Sequence, residues 1–181
     1  DASLRINTGH VQVQAQGFLD KPDMKRVIQD PGAVTPLLAD LADKGLLQDH
    51  AARAETFALL SSEERTYGGM VMGVDPEREA KVTNIADIIR QGENLAQDDY
   101  DQALMGITLA KNLRLDVGDE FVVLGQGRDG SIAAFVYIIK GLFETGQDEL
   151  DRQAVQIPLA NFNDVFSMRG AVHRMVLTAT D

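Results

Sequence analysis

The 181-residue chain contains no cysteine and no tryptophan, and only three histidines. The missing cysteine excludes a disulfide framework, a thiolate metal site and a cysteine nucleophile. His10, His50 and His173 stand far apart, and no two share a spacing such as i, i+4 that sets metal ligands on one helical face. Long apolar runs are also missing. The longest strongly apolar stretch, Ile132 to Ile139, falls well short of the roughly 20 residues that span a bilayer. There is no cluster of basic residues interleaved with aromatics, and 17 Lys and Arg face 28 Asp and Glu, for a net charge of -11. Such a surface repels nucleic-acid phosphates and anionic lipid head groups, which excludes a nucleic-acid partner. With three tyrosines and seven phenylalanines the chain is poor in the aromatic anchors of tight interfaces. The first residue is Asp1 rather than Met, which reads as a fragment from which any signal or membrane anchor has been cut.

What is present is ordinary globular composition, 44% apolar and 25% charged, enough for one sizeable core or two small ones. From His10 to Gln16 the chain alternates at period two, putting Val11, Val13 and Ala15 on one face and the glutamines on the other. Lys21-Pro22-Asp23 opens a short predicted helix with Met24, Val27 and Ile28 at i, i+3, i+4, stopped at Asp30-Pro31-Gly32. A second helix follows, with Thr35 as N-cap, Pro36 at its first position, Val34, Leu37, Leu38 and Leu41 on the buried face, and Gly45 as its stop. Strands are expected over 51–60 and 66–74, the latter with a bulge or close backbone approach at Gly68-Gly69. Asp75-Pro76 is the clearest punctuation, and after it Ile85, Ile88 and Ile89 mark one modest helix before Gly92. Strands over 121–124, 131–143 and 154–157, a helix marked by Leu159, Phe162, Val165 and Phe166, and a last strand over 171–180 complete the reading. Too few helical spacers separate the strands for repeated βαβ units, so the fold class is α+β, with mixed, mainly antiparallel sheets and short helices.

Ala103 to Leu124 reads ALMGITLAKNLRLDVGDEFVVL: a buried strand, an amphipathic helix carrying Leu109, Ala110 and Leu113, a Gly118-Asp119 turn and a second strand. The order Gly-x-x-Leu-Ala-x-x-Leu-x-Leu-x-x-Gly-Asp, from Gly106 to Asp119, resembles the extracytoplasmic core domain of FtsX-like ABC-transporter permeases, the group that includes MacB and the LolC/LolE-type lipoprotein-release permeases. Flanking phrases are similar to the same family: Thr8-Gly9-His10-Val11-Gln12-Val13, Met72-Gly73-Val74-Asp75-Pro76, Lys140-Gly141-Leu142-Phe143-Glu144-Thr145-Gly146, Asp151 and Ala154 to Leu159.

The resemblance implies a porter-like membrane-proximal lobe formed by 1–76 and 152–181, with an inserted β-rich, sabre-like lobe at 77–151. Hinges are then expected near Asp75-Pro76 and Asp148 to Asp151. It also implies that the domain sits on the periplasmic side of the inner membrane between two membrane helices, with its first and last strands adjacent and Asp1 and Asp181 side by side. The implied role is non-catalytic: coupling of cytoplasmic ATP hydrolysis to lipoprotein release, efflux or partner activation. The implied partners are a cytoplasmic ABC ATPase subunit or domain, a second permease copy, and a periplasmic or outer-membrane protein or lipoprotein. No cofactor, metal or catalytic residue is expected. The competing reading is a free-standing periplasmic ligand-binding or adaptor domain, and an enzyme ranks third.

Four stretches invite chemistry and have plainer readings. Gly125-Gln126-Gly127-Arg128-Asp129-Gly130 is a G-x-G-x-x-G after a strand, but a β-rich run follows it where dinucleotide binding needs a helix N-terminus. A hairpin loop is expected, with Arg128 as an exposed charge. In LolC-type permeases this hairpin carries a longer, Pro-containing hook for a lipoprotein carrier, and the short proline-free loop here argues against one. Asp98-Asp99-Tyr100-Asp101 lacks the oxygen spacing of a calcium loop and reads as a solvated turn. Ser61-Ser62-Glu63-Glu64 has no nucleophile elbow and reads as a turn or helix start. His10 and His173 are expected on neighbouring strands, close but without metal-ligand partners. Met70 and Met72 share a strand face and fill core or line a flexible contact surface.

Overall fold

The structure, a computed structural model, describes residues 11–16, 18 and 23–180. His10, the Thr8-Gly9 start of the first motif, Lys21-Pro22 and both terminal aspartates lie outside the described residues.

Nine strands form one sheet: β1 (Val11–Gln14), β2 (Leu47–Ser61), β3 (Thr66–Val74), β4 (Ile89–Gly92), β5 (Gln102–Gly106), β6 (Glu120–Gln126), β7 (Ile132–Phe143), β8 (Ala154–Pro158) and β9 (Arg174–Ala179). Five α helices accompany them among the described residues: α1 (Thr35–Asp43), α2 (Pro76–Val82), α3 (Ile107–Leu113), α4 (Asp148–Gln153) and α5 (Leu159–Val165). The fold is α+β, and seven of the nine strand pairings are antiparallel; β3 with β8 and β5 with β7 run parallel.

The sheet closes on itself. β2 pairs β3 along 53–61, β3 pairs β8, β8 pairs β5, β5 pairs β7 and β7 pairs β6. β6 then returns to the end of β2 through Leu59↔Leu124, Leu60↔Val123 and Ser61↔Val122. β2 can serve two neighbours on one edge because it is 15 residues long: its first half pairs β9, and its last three residues pair β6. The pleat sends alternate residues inward, so Ala54, Ala58 and Leu60 of β2 meet Val71, Phe121, Val123, Tyr137 and Val155 inside the ring. Leu109 and Leu113 of α3 and Phe162 of α5 join the same interior, all three fully buried. This core draws on both 77–151 and the segments around it. A second cluster lies outside the ring, where 85–95 covers Val74, Leu104 and Phe143.

The first and last described strands are neighbours, as expected: β1 pairs β9 antiparallel with Val11↔Leu177 and Val13↔Met175. Other elements depart from the sequence reading. Residues 23–28 form a turn and a single bridge, Ile28↔Val172, rather than a helix, because the carbonyl of Val172, two residues before β9, takes the Ile28 amide at 2.7 Å. Thr35 does not cap α1, which has no side-chain cap: Thr35 is already helical, and Asp30 caps the preceding 3-10 turn over Pro31–Val34 by accepting the Gly32 amide at 2.9 Å. Leu38 is buried, but Leu37 is 56% exposed and faces away from the sheet. Gly45, at φ 67°, ends the helix as expected. At Gly68-Gly69 the β2–β3 register is unbroken, so there is no bulge. A Cβ on Gly69 would stand 2.4 Å from Leu60 Cδ1 and 2.7 Å from the Gln153 carbonyl, a close approach only glycine allows.

The family-like phrases prove to be packing devices. A Cβ on Gly106 would lie 2.4 Å from the Asp151 carbonyl, so glycine there lets α4 pack directly onto the start of α3. Asp151, 4% exposed, accepts from the Thr145 amide and hydroxyl and the Gly146 amide at 2.7, 2.8 and 3.1 Å, which fixes the Thr-Gly turn. Asp119 caps its own turn by accepting the Asp116 amide at 2.8 Å. At the first expected hinge, Asp75 caps α2 through the Arg78 amide at 3.1 Å.

One buried polar tie, outside the ring, is not foreseen in the sequence. Arg53 of β2 and Glu79 of α2 form a two-pronged ion pair, with Nε donating to Oε2 at 3.0 Å and Nη2 to Oε1 at 2.6 Å, both side chains 2% exposed. Removing Arg53 leaves the buried Glu79 carboxylate without its ion-pair partner, and removing Glu79 takes away the carboxylate that neutralises Arg53. Arg53→Met or Glu79→Gln alone should therefore lower stability by about 3–5 kcal/mol in urea denaturation, while the Arg53→Met/Glu79→Leu double variant regains most of that loss.

Candidate functional site

The residues singled out for chemistry are occupied structurally. Gly125 and Gln126 pair with Ala133 and Ile132, and the rest of the glycine hexapeptide is the β6–β7 hairpin loop, closed by the Gly127 amide donating to the Ser131 carbonyl at 2.8 Å. Asp129 accepts the Ser131 amide and hydroxyl at 3.0 and 2.6 Å, and these bonds hold its carboxyl below the usual range. A strand follows the loop, not a helix N-terminus. Arg128 is not the free hairpin charge expected of it: its amide donates to Phe166 O at 2.8 Å, Nη1 to Met168 O at 2.9 Å and Nη2 to Gln29. The hairpin folds back on the segment after α5, which brings these carbonyls within reach.

In the acidic run, Asp99 pairs with Lys140 at 2.6 Å and caps the Ala96 amide, and Tyr100 donates to Asp164 at 2.7 Å, a bond that raises the phenol pKa. No group of three or more His, Asp and Glu able to hold a metal occurs among the described residues. Ser62 Oγ, in the β2–β3 turn, accepts the Arg65 amide at 3.2 Å, and Glu64 pairs with Arg114 at 2.6 Å.

His173 is fully buried, stacked on Phe18 with ring centroids 5.1 Å apart, and its Nδ1 accepts the Glu55 amide at 2.9 Å. That bond places the proton of the neutral ring on Nε2. Desolvation pushes the pKa down to about 4, with the Met24 backbone opposing and Arg174 and Arg128 adding to the shift. His10, its expected neighbour, lies outside the described residues. Met70 and Met72 are half-buried on the outer face of β3, where they line a small apolar cavity of about 50 Å³ with Ile85, Ile88, Phe143 and Leu150.

What remains unexplained by packing is the outer face of the ring. Because β2, β6 and β7 alternate inward and outward, Phe57 and Leu59, Val122 and Leu124, and Ile132 and Val136 all point out, with exposures from 40% to 83%. Cross-strand pairing makes them contiguous: Leu59 faces Leu124, Val122 faces Val136, and Ser61 faces Val122. At one end of this face opens a cleft of about 730 Å³, between the β2–β3 turn and the turn after α3. Its rim carries Glu63, Glu64, Asp119 and Glu120, and Val122 and Val136 are shared with the apolar face. The signal was present in the alternation of Phe57 with Leu59 and of Val122 with Leu124. Sequence alone could not say that the opposite face of each strand already fills a closed ring.

No family model matches the chain. Over 123 residues it is 31% and 32% identical to the lipoprotein-releasing system transmembrane protein LolC of two Xylella fastidiosa strains, Temecula1 and 9a5c. That match covers 64% of this chain but only 29% of each relative's length. Among solved structures, the periplasmic region of MacB from Actinobacillus actinomycetemcomitans is similar at TM-score 0.64 and 11% identity, over 96% of this chain and 77% of that one. The extracellular domain of the Gram-positive ABC-type transporter YknZ is similar at TM-score 0.63 and 9% identity, over 94% and 82%. A domain of a permease from Porphyromonas gingivalis is similar at TM-score 0.52 and 14% identity, over 80% and 67%.

The buried histidine sets an acid limit on this domain. Its folded pKa lies below the ordinary 6.5, so the unfolded chain binds the proton first, and the stability is present above 6.5 and lost as pH falls toward 4. Between pH 7 and pH 5 the chain should lose about 2 kcal/mol more than a His173→Asn variant, whose amide oxygen can still accept the Glu55 amide, as read from urea midpoints at each pH. Equal slopes would mean the ring is not held neutral. In fold and in sequence likeness together, the chain matches the FtsX- and MacB-like periplasmic domain of transporter permeases.

Proposed function

We propose that the chain is a non-catalytic, extracytoplasmic domain of an ABC transporter permease, and that it passes the work of cytoplasmic ATP hydrolysis to a task outside the membrane: lipoprotein release, efflux or activation of a partner. The observation that carries this reading is the 31% likeness to LolC across 123 residues, joined to a MacB-like fold. The pairing of β1 with β9 supports it, since adjacent first and last strands suit a domain whose two ends return to one membrane surface. The same reading assigns as partners an ATPase subunit or domain on the cytoplasmic side, a second permease copy, and a periplasmic or outer-membrane protein or lipoprotein. No helix among the described residues is long and apolar enough to cross a membrane.

That the domain itself does no chemistry is supported by how its polar groups are spent. Asp99 neutralises Lys140, Asp151 holds a turn, Ser62 caps backbone amides, and Tyr137 donates to the buried Asn161. In the full-length protein reconstituted with its ATPase, replacing residues 11–180 by a short flexible linker should abolish export while leaving basal ATP hydrolysis within about twofold. Loss of hydrolysis together with export would assign the domain to the ATPase cycle itself, and intact export would remove the coupling role.

A further inference from the structure

The exposed apolar face of β2, β6 and β7 and the acidic cleft at its end are continuous, and their combination specifies an occupant. Ile132 is 83% exposed, Phe57 62% and Val136 47%, with Leu59, Leu124 and Val122 beside them. The pairing of the three strands sets these side chains in adjacent rows about 4.8 Å apart. Six large apolar side chains this exposed on one face amount to a patch on the order of 500 Å², the upper end of what soluble monomers carry without a partner.

The charges decide what covers it. Glu63 and Glu120, on the cleft rim, have no cation partner among the described residues, and the Arg114–Glu64 pair is more than 60% exposed on both sides and weakly held. An anionic lipid surface or a nucleic acid would be repelled by this rim and by the net charge of -11. A second copy of the chain would bring the same acidic rim against it. A protein segment with an apolar strip and cationic side chains at its margin satisfies both halves of the surface. Val122 and Leu124 stand two residues apart along β6, about 7 Å, near the roughly 6 Å rise between side chains four apart on one helix face.

We propose that this surface is a docking site for a cationic amphipathic helix of another protein, whose apolar side chains lie across Leu59, Leu124 and Ile132 and whose lysines or arginines meet Glu63 and Glu120 in the cleft. The proposal concerns the surface of this chain and holds whether or not the whole protein is a transporter.

The test uses the 181-residue chain, isotope-labelled, with three 15-residue peptides: a helical Leu/Lys amphipath, a Ser/Lys peptide of the same charge, and a Leu/Glu amphipath. The Leu/Lys peptide should bind saturably, with amide shifts centred on 57–63, 120–126 and 132–136, and at least tenfold more tightly than either control. Ile132→Asp and, separately, Glu120→Lys should each weaken it at least fivefold, whereas Glu149→Lys, on α4 away from this face, should leave it unchanged. Ile132→Ser provides the same reading if the aspartate variant proves unstable. Equal binding of the Ser/Lys peptide, or shifts dispersed over the acidic surface, would overturn the proposal. So would concentration-dependent dimers in sedimentation that vanish in Ile132→Asp, since these would assign the face to a second copy.

Discussion

The whole arrangement depends on β2 being long enough to hold two different strands along one edge. Its first half carries β9 and through it β1, while Leu59 to Ser61 carry β6. If β2 ended at residue 58, β6 would lose its second neighbour and the ring would open along that seam. The interior side chains of the middle segment would then lose the wall formed by Leu60. Closure is what lets 21 buried residues from strands, helices and turns distant in sequence form one cluster. The helices seal it: α3 with Leu109, Ala110 and Leu113, and α5 with Phe162, whose ring lies against Gly73. Two polar ties lock elements onto the ring, Arg53–Glu79 outside and Tyr137–Asn161 within.

Closure bears directly on how such a domain could carry force. A middle segment joined to the ends only by two chain crossings would swing freely, but here it shares strand pairs with them at two seams, β2 with β6 and β8 with β5. The crossings themselves are anchored, one by the Asp75 cap on α2 and the other by the buried Asp151 carboxylate. Paired strands and a packed interior, not a flexible linker, thus connect the middle segment to the ends of the chain.

Much of the fold was legible. Period-two alternation located β1, β-rich runs located β2, β3 and β7, and the Ala103-to-Leu124 block gave a strand, helix, turn and strand in the right order, because each step has a local cause: an apolar run, an i, i+3, i+4 apolar face, and a Gly-Asp turn. The misreadings have tertiary causes. Met24, Val27 and Ile28 have helical spacing, but the bridge to Val172 outcompeted a helix too short to hold itself. Arg128 looked solvated because nothing in the hairpin reveals that the Phe166 and Met168 carbonyls lie beside it. Arg53 and Glu79 are 26 residues apart, and their burial together follows only from α2 packing on β2. The exposed apolar face was hidden for the same reason: alternation says which residues share a side, and closure alone decides which side is the inside.

Native-state hydrogen exchange in increasing urea tests the central claim, that the middle segment and its flanks form one closed unit. The protected amides of β5 and β7 should converge on the same opening free energy as those of β2, β3 and β8, the global value. If β5, β6 and β7 instead open together at a distinctly lower free energy while β2, β3 and β8 stay closed, the ring is two separable bodies and the account fails.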